Sequence, residues 1–184
     1  MSDIRSKLEK LESLFKEANA PVLLRFNEGI PDSEIIAFFT ENNIPIHPDL
    51  LPLYNWHNGL ISIYGEFDRL TQLSPLGSFP NLNEMLALRN DFISCDYIEV
   101  ENRHEYVPIL SGGEDDMHLL RVSTGEIYHS SPDIQIYCEP RFYSLSSMLD
   151  FILNGYEKGI LRMDPIEGLI INDAYWELNG DYSA

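Results

Sequence analysis

Seven carboxylates fall within a short central stretch of the chain, divided into two groups by the apolar run Tyr106–Leu110. They are Asp96, Glu99, Glu101, Glu105, Glu114, Asp115 and Asp116, and Arg103 is the only basic residue among them. If the apolar run is a strand whose turn brings both groups together, they form one negative patch that could receive lysine and arginine side chains of a protein partner. Two separate, solvated acidic loops are the more ordinary interpretation of the same residues.

The same stretch also resembles a metal site, although only weakly. The side chains concerned are Glu114, Asp115, Asp116, His118 and, further away in sequence, His104. Hard cations bind oxygen-rich sets of this kind, but the twelve-residue calcium-loop pattern is absent. An acidic turn after Gly112-Gly113 accounts for these residues more simply. We therefore predict no metal here.

No arrangement of catalytic residues stands out in the sequence. The five histidines are scattered without metal spacing such as His-Glu-x-x-His. No serine lies in a Gly-x-Ser-x-Gly elbow, and no glycine-rich loop followed by lysine is present to hold phosphate. A nucleophilic pair of Cys95 or Cys138 with a histidine would require the fold to bring them together. We predict no enzyme activity and no cofactor.

The charge of the chain is strongly negative and unevenly distributed. Twelve basic and thirty acidic residues give a formal net charge of −18. Residues 1–25 hold five basic and four acidic residues, so the excess lies in the remainder. Such a field repels nucleic acid and anionic membranes and attracts basic partners. We expect no direct nucleic-acid or membrane binding. The charged N-terminus is unlike a signal peptide, which predicts a cytoplasmic location.

Hydrophobic periodicity predicts the elements that position these residues. Helices are expected at Ile4–Ala18, after Pro31, at Leu50–His57 with Asn58-Gly59 as its stop, at about 82–92, from Ser144 or Ser146 to about Gly155, and within the last twenty-five residues. Strands are expected near residues 60–63, with Phe67–Leu73 pairing back as a hairpin, and at Tyr106–Leu110, Met117–Val122, Glu126–His129 and 134–138. Strands thus cluster between helices, and no linker or repeat divides the chain. This order predicts one α+β domain over residues 1–184, with an antiparallel or mixed central sheet flanked by helices.

Several of these stretches, taken in order, resemble a known family. The helix opening at Gly29-Ile30-Pro31-Asp32 and the segment 46–59, a Pro-acid start leading to Asn58-Gly59, are similar to its first signatures. Tyr106-Val107-Pro108-Ile109 with Gly112-Gly113, the strand and hairpin over 118–127, and the helix over 144–153 are similar to the rest. On this basis the chain is identified as a member of the SUKH superfamily, which includes fungal cell-wall-assembly regulators and many bacterial immunity proteins. Relatives often carry an acidic residue where this chain has Arg121-Val122.

The resemblance covers about residues 30–153 and implies binding instead of catalysis. Bacterial members are commonly immunity proteins that neutralise polymorphic toxins, many of which are basic nucleases. The resemblance therefore implies a protein partner, a basic toxin domain, for which the acidity of this chain gives a physical reason. A regulatory or scaffolding module of the fungal type, and an acidic mimic of nucleic acid, are the alternatives. The oligomeric state stays open.

Overall fold

Helices and short strands follow one another in the order that the α+β prediction requires. The structure is a computed structural model that describes residues 3–61, 69–95, 101–112, 116–131, 135–136 and 139–175. The helices in these ranges are α1 (Asp3–Glu17), α2 (Asp32–Glu41), α3 (Leu50–Trp56), α4 (Leu82–Ser94) and α5 (Leu145–Glu157). The strands are β1 (Phe26–Glu28), β2 (His57–Leu60), β3 (Tyr106–Ser111), β4 (Met117–Arg121), β5 (Ile127–Ser131), β6 (Gln135–Ile136), β7 (Leu161–Asp164) and β8 (Gly168–Ile171). Within the described residues they form three antiparallel sheets, β1–β2, β3–β4–β5–β6 and β7–β8, which confirms the predicted class.

The four-stranded sheet lies between two apolar layers. Val107 of β3 and Leu120 of β4 belong to the main core, which also contains the buried faces of α1, α3 and α5. Met117 and Leu119 of β4 join a second cluster with Phe92 of α4. Successive side chains of a strand point to opposite faces, so β4 is covered on both sides.

The helices α1 and α5 pack together and are joined by a half-buried lysine. The Nζ atom of Lys7 lies 2.8 Å from the carboxylates of Asp3 and Asp150 and donates to Ser146 Oγ at 2.6 Å. At its start, α5 is capped by Ser144, whose hydroxyl accepts the Ser147 amide. The structure therefore selects Ser144 from the two predicted starting residues.

The C-terminal part of the described chain is a hairpin, so the short helix predicted there is wrong for residues 161–171. Leu161 and Met163 are buried and alternate with exposed Arg162, which is strand periodicity. The Asp164 carboxylate accepts two backbone amides of the turn, at 2.9 and 3.0 Å. Gly168 then adopts a φ of 76°, which favours glycine.

The pair Asn58-Gly59 does not stop α3, as the sequence predicted, because the helix ends at Trp56. Both residues lie in β2. The side-chain oxygen of Asn58 accepts the Leu82 amide at the start of α4, 3.1 Å away. Gly59 has a positive φ of 65°, and a side chain there would strike the backbone of residues 80 and 81.

The predicted return strand at Phe67–Leu73 is also not found where the structure describes that segment. Residues 62–68 lie outside the described residues, and residues 69–71 form a turn. The strand β2 pairs instead with β1, where Phe26 lies opposite Leu60. The expected fourth strand of the central sheet is present as β6, although residues 134, 137 and 138 lie outside the described ranges.

Candidate partner-binding site

The structure describes three of the seven carboxylates predicted to bind a partner. Glu101 is exposed, Glu105 is half-buried, and the Asp116 side chain is 48% exposed. The other four, Asp96, Glu99, Glu114 and Asp115, lie outside the described residues.

Glu105 and Asp116 stand at opposite ends of the β3–β4 pair. Glu105 directly precedes β3, whose first residue Tyr106 lies opposite Arg121, whereas Asp116 directly precedes β4, whose first residue lies opposite Ser111. Six strand residues at about 3.4 Å each put roughly 17–20 Å between these ends. The structure therefore does not bring these two carboxylates into one patch.

Glu105 is engaged within the fold. Its carboxylate accepts the Ser123 hydroxyl at 2.6 Å and the Nε of Arg121 at 2.9 Å. These two contacts, the serine first, hold the pKa of Glu105 below its ordinary value. An acid that is compensated in this way contributes little to the field that a partner meets.

A different acidic surface, formed by none of the seven predicted carboxylates, is carried by α2. Asp32, Glu34 and Glu41 are exposed, and Glu28 just before the helix is exposed too. Among the described residues none of these four forms an ion pair with lysine or arginine. The chain has no lysine or arginine between Arg25 and Arg69, so neither residue type compensates the local charge from nearby in sequence.

The outer side of α2 has small residues at its centre and acids on both flanks. By helical spacing, Ser33, Ala37 and Thr40 share the outermost line. Asp32 and Ile36 lie on one flank, and Ile36 is 46% exposed. Glu34 and Glu41, seven residues apart, lie on the other flank. This surface, which we call the α2 face, has one carboxylate on the first flank and two on the second.

Local contacts hold α2 in place. Ile35 and Phe39 are buried in the main core. The backbone of Ile30, just before the helix, donates to Tyr54 and accepts the Asn55 side-chain amide at 2.7 Å. A side chain at Gly29 would come within 1.9 Å of the Asn55 carbonyl oxygen, so this close approach to α3 requires glycine. These contacts fix the position of the α2 face on the core.

The residues considered for a metal do not gather in the described part of the chain. No group of three or more His, Cys, Asp and Glu side chains that could hold a metal ion is found among the described residues. The Nε2 of His118 lies 3.1 Å from a guanidinium nitrogen of Arg141, a cation that disfavours a second cation nearby. Glu114 and Asp115 lie outside the described residues.

Comparison with known proteins adds no family. A scan against models of protein families found no match, and a search of curated proteins found no significant relative. The resemblance to the SUKH superfamily therefore stays a prediction. None of the helices in the described ranges has the length and apolar character needed to cross a membrane.

Proposed function

We propose that this chain is a protein-binding module of the SUKH type that acts as an immunity protein, binding and neutralising a basic toxin domain. The observation that supports this proposal is the α2 face. It combines three carboxylates without a lysine or arginine partner in the described structure with a half-exposed Ile36. Partner-binding surfaces commonly join an apolar anchor to charged residues at its edge.

The negative charge would affect both the rate of association and the kind of partner that binds. A toxin that cuts nucleic acid needs lysines and arginines around its active site to hold phosphate. Carboxylates on a rigid helix can occupy the same basic surface and exclude the substrate. Opposite charge also accelerates association by about 10 to 1,000-fold at low salt, which suits an inhibitor that must act before damage occurs.

The test is affinity capture of the tagged protein from the cells that make it, using three forms of the chain. The first form is unchanged. The second, the α2 variant, carries Asp32→Asn, Glu34→Gln and Glu41→Gln. The third, the control variant, loses three exposed carboxylates elsewhere, which also form no ion pair with lysine or arginine among the described residues; its changes are Glu17→Gln, Asp91→Asn and Glu167→Gln.

We expect the unchanged chain and the control variant to retain one basic protein in stoichiometric amount. That protein should stop growth when produced alone and be harmless when produced with the unchanged chain. The α2 variant should be folded but retain much less of it. Several substoichiometric housekeeping proteins would instead favour the regulatory function, and a set of DNA-binding proteins would favour the nucleic-acid mimic.

A further variant in the same experiment tests part of the acidic patch predicted from the sequence. Charge reversal at Glu114, Asp115 and Asp116 should slow association if that turn contacts the partner. Unchanged association would remove this turn from the binding surface.

A further inference from the structure

A cavity of about 250 Å³ lies between the C-terminal half of α5 and the segment that begins with β7. Four of its lining residues share one side of α5 by helical spacing, and three come from the segment that follows. The lining residues are Phe151, Asn154, Gly155, Lys158, Ile160, Leu161 and Tyr175. An apolar cavity of about 150 Å³ is enough to hold one benzene molecule, so a small aromatic compound fits in this one.

Backbone hydrogen bonds join the two walls of the cavity. The Ile160 amide donates to the Gly155 carbonyl oxygen at 3.0 Å, and the Ile160 carbonyl oxygen accepts the Asn172 amide at 2.9 Å. The Asn172 carbonyl oxygen then accepts the Tyr175 amide, also at 2.9 Å. A side chain at Gly155 would come within 2.7 Å of Leu161, so glycine allows this close approach of strand and helix. These contacts hold β7 and residues 172–175 against the end of α5.

The walls of the cavity are mostly apolar, and two of the side chains are aromatic. The rings of Phe151 and Tyr175 meet edge to face, with centroids 6.1 Å apart. Leu161 and Tyr175 are buried, whereas Phe151 and Ile160 are half-buried. Apolar and aromatic walls with a few polar groups are typical of sites for small organic molecules.

The polar side chains of the lining, Asn154 and Lys158, are exposed and therefore lie at the mouth of the cavity. The chain has four lysines, and the other three, Lys7, Lys10 and Lys16, each form an ion pair with a carboxylate. Lys158 forms none within the part of the chain that the structure describes. Its ammonium group and the Asn154 amide can both donate hydrogen bonds to an anion. The mouth of the cavity is therefore suited to a carboxylate.

The negative charge of the chain does not cancel this preference. Glu157, the residue before Lys158, is compensated by its ion pair with Lys10. Exposed charges more than about 8 Å away are largely screened at physiological salt. The ammonium group of Lys158 thus dominates the local interaction with a bound anion.

We propose that this cavity binds a small aromatic carboxylate, with the ring against Phe151 and Tyr175 and the carboxylate at Lys158 and Asn154. The site shares no residue with the α2 face, and the proposal does not depend on the proposed function. For a compound of about ten non-hydrogen atoms, such as phenylacetate, we expect a Kd on the order of 1 mM.

The test is a titration of the nitrogen-15-labelled full chain at pH 7 and physiological salt, followed by amide chemical shifts in NMR spectra. The three probes are phenylacetate, phenylacetamide, which keeps the ring without the charge, and acetate, which keeps the charge without the ring. We expect phenylacetate to shift the amides of Gly155, Lys158 and Leu161. Phenylacetamide should bind about fivefold more weakly, because it lacks the ion pair with Lys158. Acetate should shift these amides hardly at all.

Two variants test the assigned role of Lys158, and their spectra also report whether they fold. Lys158→Met keeps an apolar stem without the charge, so it should bind phenylacetate and phenylacetamide equally. Arg5→Met removes the same charge from an exposed side chain of α1 and should keep the fivefold preference. Absence of shifts around the cavity with phenylacetate, or shifts of equal size with acetate, would overturn the proposal. So would equal binding of both ring compounds to the unchanged chain, or an undiminished preference for phenylacetate in Lys158→Met.

Discussion

Two buried tyrosines differ in the hydrogen bonding of their hydroxyl groups. This difference predicts that removing the hydroxyl changes the free energy of unfolding in opposite directions. Tyr54 of α3 is fully buried beside Phe79, and its hydroxyl has no hydrogen-bond partner among the described residues. The Tyr156 hydroxyl of α5 donates to the Leu73 carbonyl oxygen at 2.8 Å. We predict that Tyr54→Phe stabilises the protein and that Tyr156→Phe destabilises it.

The magnitudes follow from the cost of burying a polar group. A buried hydroxyl without a partner costs about 1–3 kcal/mol, so its removal from Tyr54 should raise the free energy of unfolding by about 1 kcal/mol or more. Removing the Tyr156 hydroxyl loses a hydrogen bond and leaves the buried Leu73 carbonyl without this donor, which should cost about 1–2 kcal/mol. The two variants should therefore differ by roughly 2–4 kcal/mol.

Urea unfolding at pH 7, followed by circular dichroism, measures both variants under one condition. Equal m-values show that the compared states expose the same surface, so the midpoints report stability. Each change deletes one oxygen atom from the same residue type, which makes each variant the control of the other. If Tyr54→Phe proved less stable than the unchanged chain by 1 kcal/mol, the Tyr54 hydroxyl would have a partner and the reasoning would be refuted.

Three further predictions concern backbone strain and pH. Gly125→Ala should destabilise by about 2 kcal/mol or more in urea, because φ is 78° and the new carbon would lie 2.8 Å from His47 Nε2. Gly159→Ala, with a φ of 67° and nothing within 4 Å, should cost only about 1 kcal/mol; equal costs would show that the His47 contact is irrelevant. Burial lowers the pKa values of His118 and His57, so the unfolded chain takes up their protons at higher pH than the folded chain. The free energy of unfolding should therefore fall as the pH drops below about 6.5, and in His118→Phe only the part of this fall that comes from His57 should remain. A free energy of unfolding that stays constant from pH 7.5 to 5.5 would contradict this prediction.

Local signals predicted much of the fold. The apolar spacing of α1, Pro31 before α2 and the turn at residues 123–125 each fix one element through chemistry within a few residues. The structure places α1, α2 and the β4–β5 hairpin accordingly. These elements need no distant partner to be recognised, because periodicity and capping are local properties.

The errors arose where tertiary contacts decide the outcome. Asn58-Gly59 is typical of a helix stop, but in the fold its glycine is required by contact with residues 80 and 81, and its asparagine caps α4. The apolar C-terminal segment has both helix and strand character, and the Asp164 turn with Gly168 selects the hairpin. Short apolar runs are ambiguous in this way whenever the turn residues are overlooked.

The candidate site shows a similar limit. Glu105 and Asp116 are close in sequence, but the extended β3 separates them, and Glu105 is compensated by Arg121 from the neighbouring strand. The α2 face had a signal that could have been found, namely the absence of any lysine or arginine between Arg25 and Arg69. The net charge of all residues after residue 25, taken as a single number, does not reveal this local absence.

The central claim is that the α2 face binds a basic partner, and the most direct test is the association rate of the captured protein with three forms of the chain. At low salt the α2 variant should associate about tenfold more slowly than the unchanged chain, while the control variant, with the same net charge as the α2 variant, should be slowed far less. The difference should shrink at high salt, because screening weakens interactions between exposed charges. Equal rates for the α2 and control variants would contradict the account, since only the total charge of the chain would then matter.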